Sequence, residues 1–355
     1  KEAARWLKLA SEQENAKAQF TLGSMYENGL GVPQNDKTAV KWYTRAAEKG
    51  IADAQSNLGV MYGKGLGIPQ DNGEALKWLK LAAKQGNANG QYNLGWMYLK
   101  GQGVTTDYEA SKKWFTLAAE QGNALAKLRL GGMYYEGLGV SQSSEIAVRW
   151  YRRAAEKGNP EAQYNLGWMY AKGRGVTQDY KEAAKWYKLA AKQGYASGQY
   201  GLGLRYFEGQ GVPQDFRLAS KWYKLAAEQG YASAQYNLGW MYENGHGVLR
   251  NSETAAKWYK LAAEQGHAKA QNSLDDIKAA SLESYTMITC TGNTQIIFPV
   301  FELVETIEET KTYKIGVDTI DTRKCESASD SMLVCSTKFK ASIKLGLTSM
   351  TIYKT

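Results

Sequence analysis

Residues 158–193 read GNPEAQYNLGWMYAKGRGVTQDYKEAAKWYKLAAKQ, and close copies of this stretch fill nearly everything before residue 275. The copies follow one another every 36 residues without insertion or deletion, which is clearest at two residue types. The repeated glycines are Gly50, Gly86, Gly122, Gly158, Gly194, Gly230 and Gly266. The repeated tryptophans are Trp6, Trp42, Trp78, Trp114, Trp150, Trp186, Trp222 and Trp258. A fixed period of this length predicts a solenoid of stacked repeats.

The first half of each copy has the pattern of an amphipathic helix, here called helix A. In residues 161–172, Ala162, Leu166 and Met169 fall on one face when successive residues are placed about 100° apart. Asn159 precedes this face as a polar N-cap residue, and the following proline suits the first helical turn.

The second half of each copy has the pattern of a second helix, helix B. The segment GRGVTQD interrupts the helical pattern, because its two glycines tolerate positive φ and its aspartate suits a helix start. A new apolar face that includes Trp186 then runs through residues 180–193, and Gly194 is placed to end the helix. Each copy is therefore predicted to be a helix–turn–helix unit.

Glycine also recurs inside helix A, where it costs roughly 1 kcal/mol relative to alanine. These glycines are Gly23, Gly59, Gly95, Gly131, Gly167, Gly203 and Gly239. Close packing would compensate for the cost. We expect the helix-B tryptophan to fill the gap at each glycine and to bury on the order of 200 Å².

The basic charge of the chain belongs to the repeats. The net charge is +9, and residues 281–355 contribute 8 Lys or Arg against 9 Asp or Glu, which leaves +10 for the repeats. One helix-B position is basic in every repeat, but glutamates share these helices and no dense basic run occurs. This pattern is typical of a solvated face and does not indicate nucleic acid as a partner. No run of 18 apolar residues predicts a membrane span.

The repeated pattern A-x-x-x-L-G-x-M-Y-x-x-G-x-G-V, followed by A-x-x-W-Y-x-x-A-A-x-x-G, resembles the Sel1-like repeat family, whose members are relatives of tetratricopeptide repeats. The resemblance covers about residues 1–274 and implies an all-α, right-handed solenoid with helices A on its concave side and helices B on its convex side. It also implies an adaptor for another protein. We expect residues 1–280 to hold seven full helix pairs and half a repeat at each end. Some secreted relatives carry a disulfide in every repeat, whereas no repeat here contains cysteine.

Residues 281–355 differ in character from the repeats. They are rich in Thr, Val, Ile and Phe, partly alternate between apolar and polar residues, and contain Gly, Asn, Ser and Asp between the apolar stretches. This pattern predicts a small antiparallel β domain of about five strands, and it resembles no family.

On a helical wheel, three positions of helix A are predicted to face away from the core: two before, two after and five after the repeat leucine. From the repeat at 88–123 onward these positions are mainly aromatic or apolar and include Leu128 and Ala171; Gly132 and Glu243 are the exceptions. A surface rich in Tyr and Trp is typical of protein interfaces, and packing between neighbouring helices A is the alternative. The predicted partner-binding residues, here called the helix-A stripe, are Tyr92, Trp96, Leu99, Tyr135, Tyr164, Trp168, Tyr200, Leu204, Phe207, Tyr236 and Trp240.

Two arginines extend the predicted binding surface. Arg129 occupies a position that is mostly Asn in other repeats, and Arg205 one that is mostly Met. Both are candidates to pair with an acidic residue of the partner, and random drift of the repeats is the alternative.

The residues do not predict a catalytic site, a metal site or a cofactor. The loops of the type GLGV follow a helix rather than a strand and lack the full spacing of a phosphate-binding loop. His246 and His267 lie in separate repeats without Cys or His neighbours at metal-ligand spacing. We therefore expect no enzymatic activity, with chemistry in residues 281–355 as the rival hypothesis.

The three cysteines all lie in the C-terminal segment. Cys325 and Cys335 flank ESASDSMLV, a predicted turn and strand, and are the first candidates for a disulfide. Cys290 with Cys335 is the alternative pair, and three reduced thiols in a cytosolic domain remain open as well.

The functional prediction is a protein-binding scaffold of the bacterial envelope, periplasmic or secreted, with a cytoplasmic location left open. The chain begins inside a helix B and without Met, so a removed N-terminal signal or lipid anchor is compatible with it. The alternative within the same class is an immunity-type protein that neutralises a secreted toxin such as a lipase.

Overall fold

The computed structural model describes residues 2–283 and five short stretches beyond them, 286–290, 294–298, 326–329, 332–334 and 351–352; side chains are described for residues 2–278. Residues 2–283 form sixteen helices and contain no strand, which confirms an all-helical repeat array. The chain divides into two compact units, Lys1–Ala226 and Ala227–Thr355, and each is described by itself. The domain boundary expected at residue 280 stays a prediction.

The helices alternate between A and B as the sequence pattern predicts. The seven helices A are α2 (Ala16–Asn28), α4 (Ala52–Lys64), α6 (Ala88–Lys100), α8 (Ala124–Glu136), α10 (Pro160–Lys172), α12 (Ala196–Glu208) and α14 (Ala232–Asn244). The seven helices B are α3 (Asp36–Glu48), α5 (Asn72–Lys84), α7 (Tyr108–Glu120), α9 (Ser144–Ala155), α11 (Tyr180–Lys192), α13 (Phe216–Glu228) and α15 (Ser252–Glu264). The array begins with α1 (Glu2–Glu12) and ends with α16 (Ala268–Glu283).

Five short strands follow the helices. They are β1 (Thr286–Cys290), β2 (Thr294–Phe298), β3 (Glu326–Ser329), β4 (Met332–Val334) and β5 (Thr351–Ile352). Their order in the sheet is β3-β4-β2-β1-β5; β2 pairs with β4 in parallel and the other pairs are antiparallel. The segments between these strands lie outside the described residues, and so do Cys325 and Cys335. The antiparallel β domain and the disulfide therefore stay predictions.

The helix ends of the repeat at 160–195 form as the sequence predicts. The Asn159 side chain accepts a hydrogen bond from the Ala162 N–H at 2.8 Å and caps α10, and Asp179 caps α11 in the same way. Gly173 ends α10 with a φ of 65°, a left-handed conformation that favours glycine. Gly175 is required for a further reason, because a Cβ there would overlap the backbone of Ser144. The loop therefore lies directly on the start of the preceding helix B.

The mid-helix glycines do meet a large side chain of helix B, but the expectation that it is the tryptophan is wrong. A Cβ on Gly167 would lie 2.9 Å from ring carbons of Tyr187, the residue that follows Trp186. The same helix-B position faces the glycine in each of the seven pairs, as Tyr43, Leu79, Phe115, Tyr151, Tyr187, Tyr223 and Tyr259. One residue further along a helix turns the side chain by about 100°, so Tyr187 and Trp186 lie on different faces.

The helix-B tryptophans have a different role, which is to join neighbouring repeats. Trp186 packs against a buried cluster that spans two repeats, with Tyr151 from the preceding repeat and Leu166 from its own. Trp150 packs in the same way on the cluster that contains Phe115 and Leu130. These tryptophans thus pack where two repeats meet. The side chain beside the mid-helix glycine packs within the pair, and Tyr187 also lies close to Gly201 of the next repeat.

A buried glutamine in helix A provides a second connection between repeats that the sequence analysis missed. Gln163 Nε2 donates a hydrogen bond to the carbonyl of Ala155 in the preceding helix B, at 3.2 Å. Its Oε1 accepts one from Gln193 Nε2 at 2.8 Å. The same two bonds recur at Gln55, Gln91 and Gln235. These paired amides fix the position of one repeat relative to the next, because a shift would leave a buried amide without a hydrogen-bond partner, which is costly.

Candidate protein-binding surface

The residues of the helix-A stripe are half-buried, because helix A contacts more neighbours than an isolated helical wheel assumes. In the first unit α4 contacts α6, and α10 contacts α12, so part of the predicted outer face is covered. Leu128, at one of the predicted outward positions, is only 2% exposed. Ala171, another of these positions, is also buried. The expectation that these positions face fully away from the core is therefore wrong at Leu128 and Ala171, and too strong for the half-buried residues of the stripe.

Four of the five tyrosines of the stripe pack against helix B of their own pair. In the first unit the ring centroids of Tyr164 and Tyr187 are 5.7 Å apart, and Tyr92 and Tyr200 make the same contact with Phe115 and Tyr223. In the second unit Tyr236 lies 5.5 Å from Tyr259. These separations are typical of stabilising aromatic pairs. Internal packing thus covers part of the surface of these four tyrosines, through helix B rather than through a neighbouring helix A. At Tyr135 the contact is with Trp168 of the neighbouring helix A, as the alternative interpretation expects.

The tryptophans of the stripe lie in different surroundings. Two cations of the chain cover Trp96: Lys100 Nζ lies 5.2 Å and the Arg129 guanidinium 5.1 Å from its ring centroid. Trp168 meets Tyr135 edge-on, with centroids 5.8 Å apart and the planes at 89°. No cation of the described side chains covers Trp168. In the second unit, Trp240 lies 4.9 Å from the ring of His246.

The two arginines predicted to bind a partner also differ. Arg129 forms a two-pronged ion pair with Glu161, with both N···O distances at 3.3 Å, and its side chain is partly exposed. Arg205 is buried, where it hydrogen-bonds Gln210 and Glu208 and lies over the ring of Tyr180. The structure thus keeps Arg129 at the surface of the stripe, whereas it encloses the Arg205 guanidinium within the first unit.

The remaining apolar residues of the stripe form the edge of the core. Leu99 packs against the cluster that contains Phe115, and Leu204 is half-buried on α12. Phe207 contacts Phe216 of the following helix B, with ring centroids 5.4 Å apart. These side chains present partial apolar area at the surface rather than a separate exposed patch.

A cavity of about 350 Å³ opens on the stripe between α8 and α10. It lies beside Gly132. The repeats at 88–123 and 160–195 have a tryptophan at this position, Trp96 and Trp168, whereas Gly132 has no side chain to fill the space. Only the hydroxyl of Tyr151 would lie within 4 Å of a Cβ on Gly132, at 3.9 Å. The missing side chain therefore leaves open space on the surface and does not serve close helix packing.

The walls of this cavity combine aromatic rings with charged groups. Tyr135 and Trp168 line it together with Arg129, Glu136 and Glu161. Burial raises the pKa of the Tyr151 hydroxyl at the base, and the nearby carboxylates of Glu136 and Glu161 raise it further. The cavity is thus lined by aromatic rings, two carboxylates and one guanidinium.

Among the described residues, no group of three or more His, Cys, Asp or Glu side chains is placed to hold a metal ion. No helix of the described residues combines the length and apolar composition that a membrane span needs.

Comparison with known proteins places the repeats in a family. The family model described as Sel1 repeat matches residues 1–15, 16–51, 52–87, 88–123, 124–159, 160–195, 196–231 and 232–267. Proteins with these repeats mediate protein–protein interactions. No curated protein matches the chain.

Two solved structures share both fold and sequence with the chain. A protective antigen of uropathogenic Escherichia coli, described as displaying an SLR fold, is 42% identical over 78% of this chain, with a TM-score of 0.68. The match spans 59% of that structure's own length. A Sel1 repeat protein from Oxalobacter formigenes is 37% identical over 77% of this chain and 79% of its own, with a TM-score of 0.63.

A more distant structure is the immunity protein Pa5087 from Pseudomonas aeruginosa. It is 23% identical over 60% of this chain and 81% of its own, with a TM-score of 0.40, which is too remote to support a shared function. The repeat matches cover residues 1–267 without a gap and agree with the two closer structures. The chain therefore belongs to the Sel1 repeat family.

Proposed function

We propose that this chain is a protein-binding scaffold that holds a partner protein on the helix-A stripe of its first unit, between Tyr92 and Phe207. The single observation that carries this proposal is the surroundings of Trp96 and Trp168. Both are half-exposed at a position where the other repeats of the first unit have Ser, Val, Gly or Leu. The solenoid does not depend on an aromatic ring there. Tryptophan, tyrosine and arginine are the residues that most often dominate protein interfaces.

The scaffold is not an enzyme in this proposal, since the stripe contains rings and one ion pair rather than a nucleophile with a base. An envelope or secreted location is supported by the Escherichia coli relative, which is described as a protective antigen. The proposal places the stripe on the concave side, as the family resemblance implies.

The immunity role and a reaction in the C-terminal segment stay predictions without support from the described residues. A partner identified as a secreted toxin would favour the first. A catalytic activity of the full chain that depends on residues 281–355 would favour the second.

The test is affinity capture with the intact chain, followed by calorimetric titration of the purified partner with single variants. Trp168→Ala and Trp96→Ala should each weaken binding by about 2 kcal/mol, or roughly thirtyfold in Kd. Trp6→Ala is the matched control, because Trp6 is 62% exposed but lies outside the stripe. Equal Kd values for all three variants and the parent chain would refute the proposed surface.

A further inference from the structure

The stripe already shows how it binds a guanidinium group. Arg129 lies over the ring of Trp96 while both of its terminal nitrogens contact the carboxylate of Glu161. An aromatic ring on one side and a carboxylate on the other satisfy the planar cation, because the ring face attracts the charge and the carboxylate accepts its hydrogen bonds.

One repeat further on, the same kinds of group surround the cavity beside Gly132, and none of the side chains described in residues 2–278 occupies it. Trp168 and Tyr135 provide the rings, and Glu136 provides a carboxylate. We propose that this cavity binds an arginine side chain of the partner protein. The proposal rests on the proposed function, since it names the residue type that the stripe would recognise in its partner.

Charge supports a cationic occupant. The ion pair between Arg129 and Glu161 is internally balanced, whereas Glu136 makes no ion pair with the described side chains. The cavity thus has one uncompensated negative charge, although the chain as a whole has a net charge of +9. Such a local reversal favours a basic group over an acidic one.

Size and shape support arginine in particular. A volume of about 350 Å³ is at the lower end of the roughly 300–1,000 Å³ that small-molecule sites occupy, so it suits one long side chain. Arginine is planar and stacks on aromatic rings while it donates several hydrogen bonds in a fixed geometry, whereas the ammonium of lysine is compact and strongly hydrated. The edge-on arrangement of Tyr135 and Trp168 leaves ring surface for such stacking.

The experiment uses the full chain labelled with 5-fluorotryptophan and observed by fluorine NMR, with the Trp168 signal assigned from Trp168→Phe. The probe is Nα-acetyl-arginine methylamide, and the matched control compound is the citrulline analogue, which is neutral and of nearly the same shape. The arginine probe should shift the Trp168 signal in a saturable manner, and the citrulline analogue should not. Equal shifts with the two compounds, or with the lysine analogue, would overturn the assignment to arginine.

Two variants locate the site. Gly132→Trp restores the residue that neighbouring repeats carry, so it should fold, fill the cavity and abolish the saturable shift. Glu136→Gln should weaken the probe at least about threefold, because it removes the unpaired carboxylate. Glu120→Gln, an exposed carboxylate at the end of α7, is the control and should have no effect.

The outcome is separable from that of the proposed function. If the partner's Kd rises for Trp168→Ala but is unchanged in Gly132→Trp, the stripe binds a partner and the cavity takes no arginine. If none of the stripe variants changes the partner's Kd while the probe still saturates, the cavity binds arginine and the proposed surface is wrong.

Discussion

The repeats at 124–159 and 160–195 have the same internal frame. Each has a glycine in the middle of helix A, Gly131 or Gly167, and each packs a helix-B tyrosine, Tyr151 or Tyr187, against it. The repeat leucine beside each glycine is buried in both. These positions build the pair, and they do not differ between the two repeats.

The two repeats differ at the positions that join neighbours or face outward. Gln163 joins its repeat to the preceding one, whereas Lys127 is at the corresponding position and forms no ion pair with the described residues. Trp168 fills a surface position that Gly132 leaves open. This solenoid therefore separates folding from recognition. The repeat at 124–159 lacks the glutamine hydrogen bonds and the tryptophan ring of its neighbour, yet its glycine, leucine and tyrosine pack in the same way.

The largest effect expected within this comparison is the loss of the frame tyrosine. Tyr187→Ala should cost about 3–5 kcal/mol, because Tyr187 is buried between Gly167 and Gly201. Trp186→Ala should cost less, about 2 kcal/mol, since its ring is only half-buried and its indole N–H is buried without a partner in the described residues. Thermal melting of the two variants decides the order. An earlier melting transition for Trp186→Ala would return the anchor role to tryptophan.

A smaller effect, of opposite sign, is expected when the glutamine connection is restored. The double variant Lys127→Gln with Lys157→Gln recreates the pair seen at Gln163 and Gln193, so it should gain about 1 kcal/mol in free energy of unfolding. Chemical denaturation measures the gain. The control is Lys64→Gln with Lys84→Gln, two exposed lysines whose replacement changes the net charge equally.

The smallest effect is a pH dependence in the same repeat. Burial lowers the pKa of Lys127, and Lys157 and Arg153 lower it further. Between that lowered pKa and the ordinary lysine value the unfolded chain binds more protons than the folded one, so stability contributed by this group rises with pH in this window. The difference in melting temperature between Lys127→Gln and the parent chain should therefore shrink as the pH approaches 10. A constant difference would contradict the shift.

The sequence predicted the frame well because its signals are local. The 36-residue period, the N-caps and the positive-φ glycines depend on residues within one repeat. The prediction that tryptophan fills the glycine gap failed because Trp186 and Tyr187 are adjacent large rings, and only the helix crossing decides which one enters. The burial of Leu128 and the roles of Gln163 and Gly132 depend on the neighbouring repeat, which a wheel for one helix does not include.

The most direct test of this separation compares alanine at two mid-helix glycines by thermal melting. A Cβ on Gly167 would meet ring carbons of Tyr187 at 2.9 Å and the Ala183 carbonyl oxygen at 3.2 Å, so Gly167→Ala should lower stability by about 1–2 kcal/mol. Gly132→Ala meets nothing closer than 3.9 Å and should gain about 0.5–1 kcal/mol from helix propensity. Opposite shifts in melting temperature are the predicted result. A loss of stability in both variants would show that Gly132 belongs to the frame and would contradict the account.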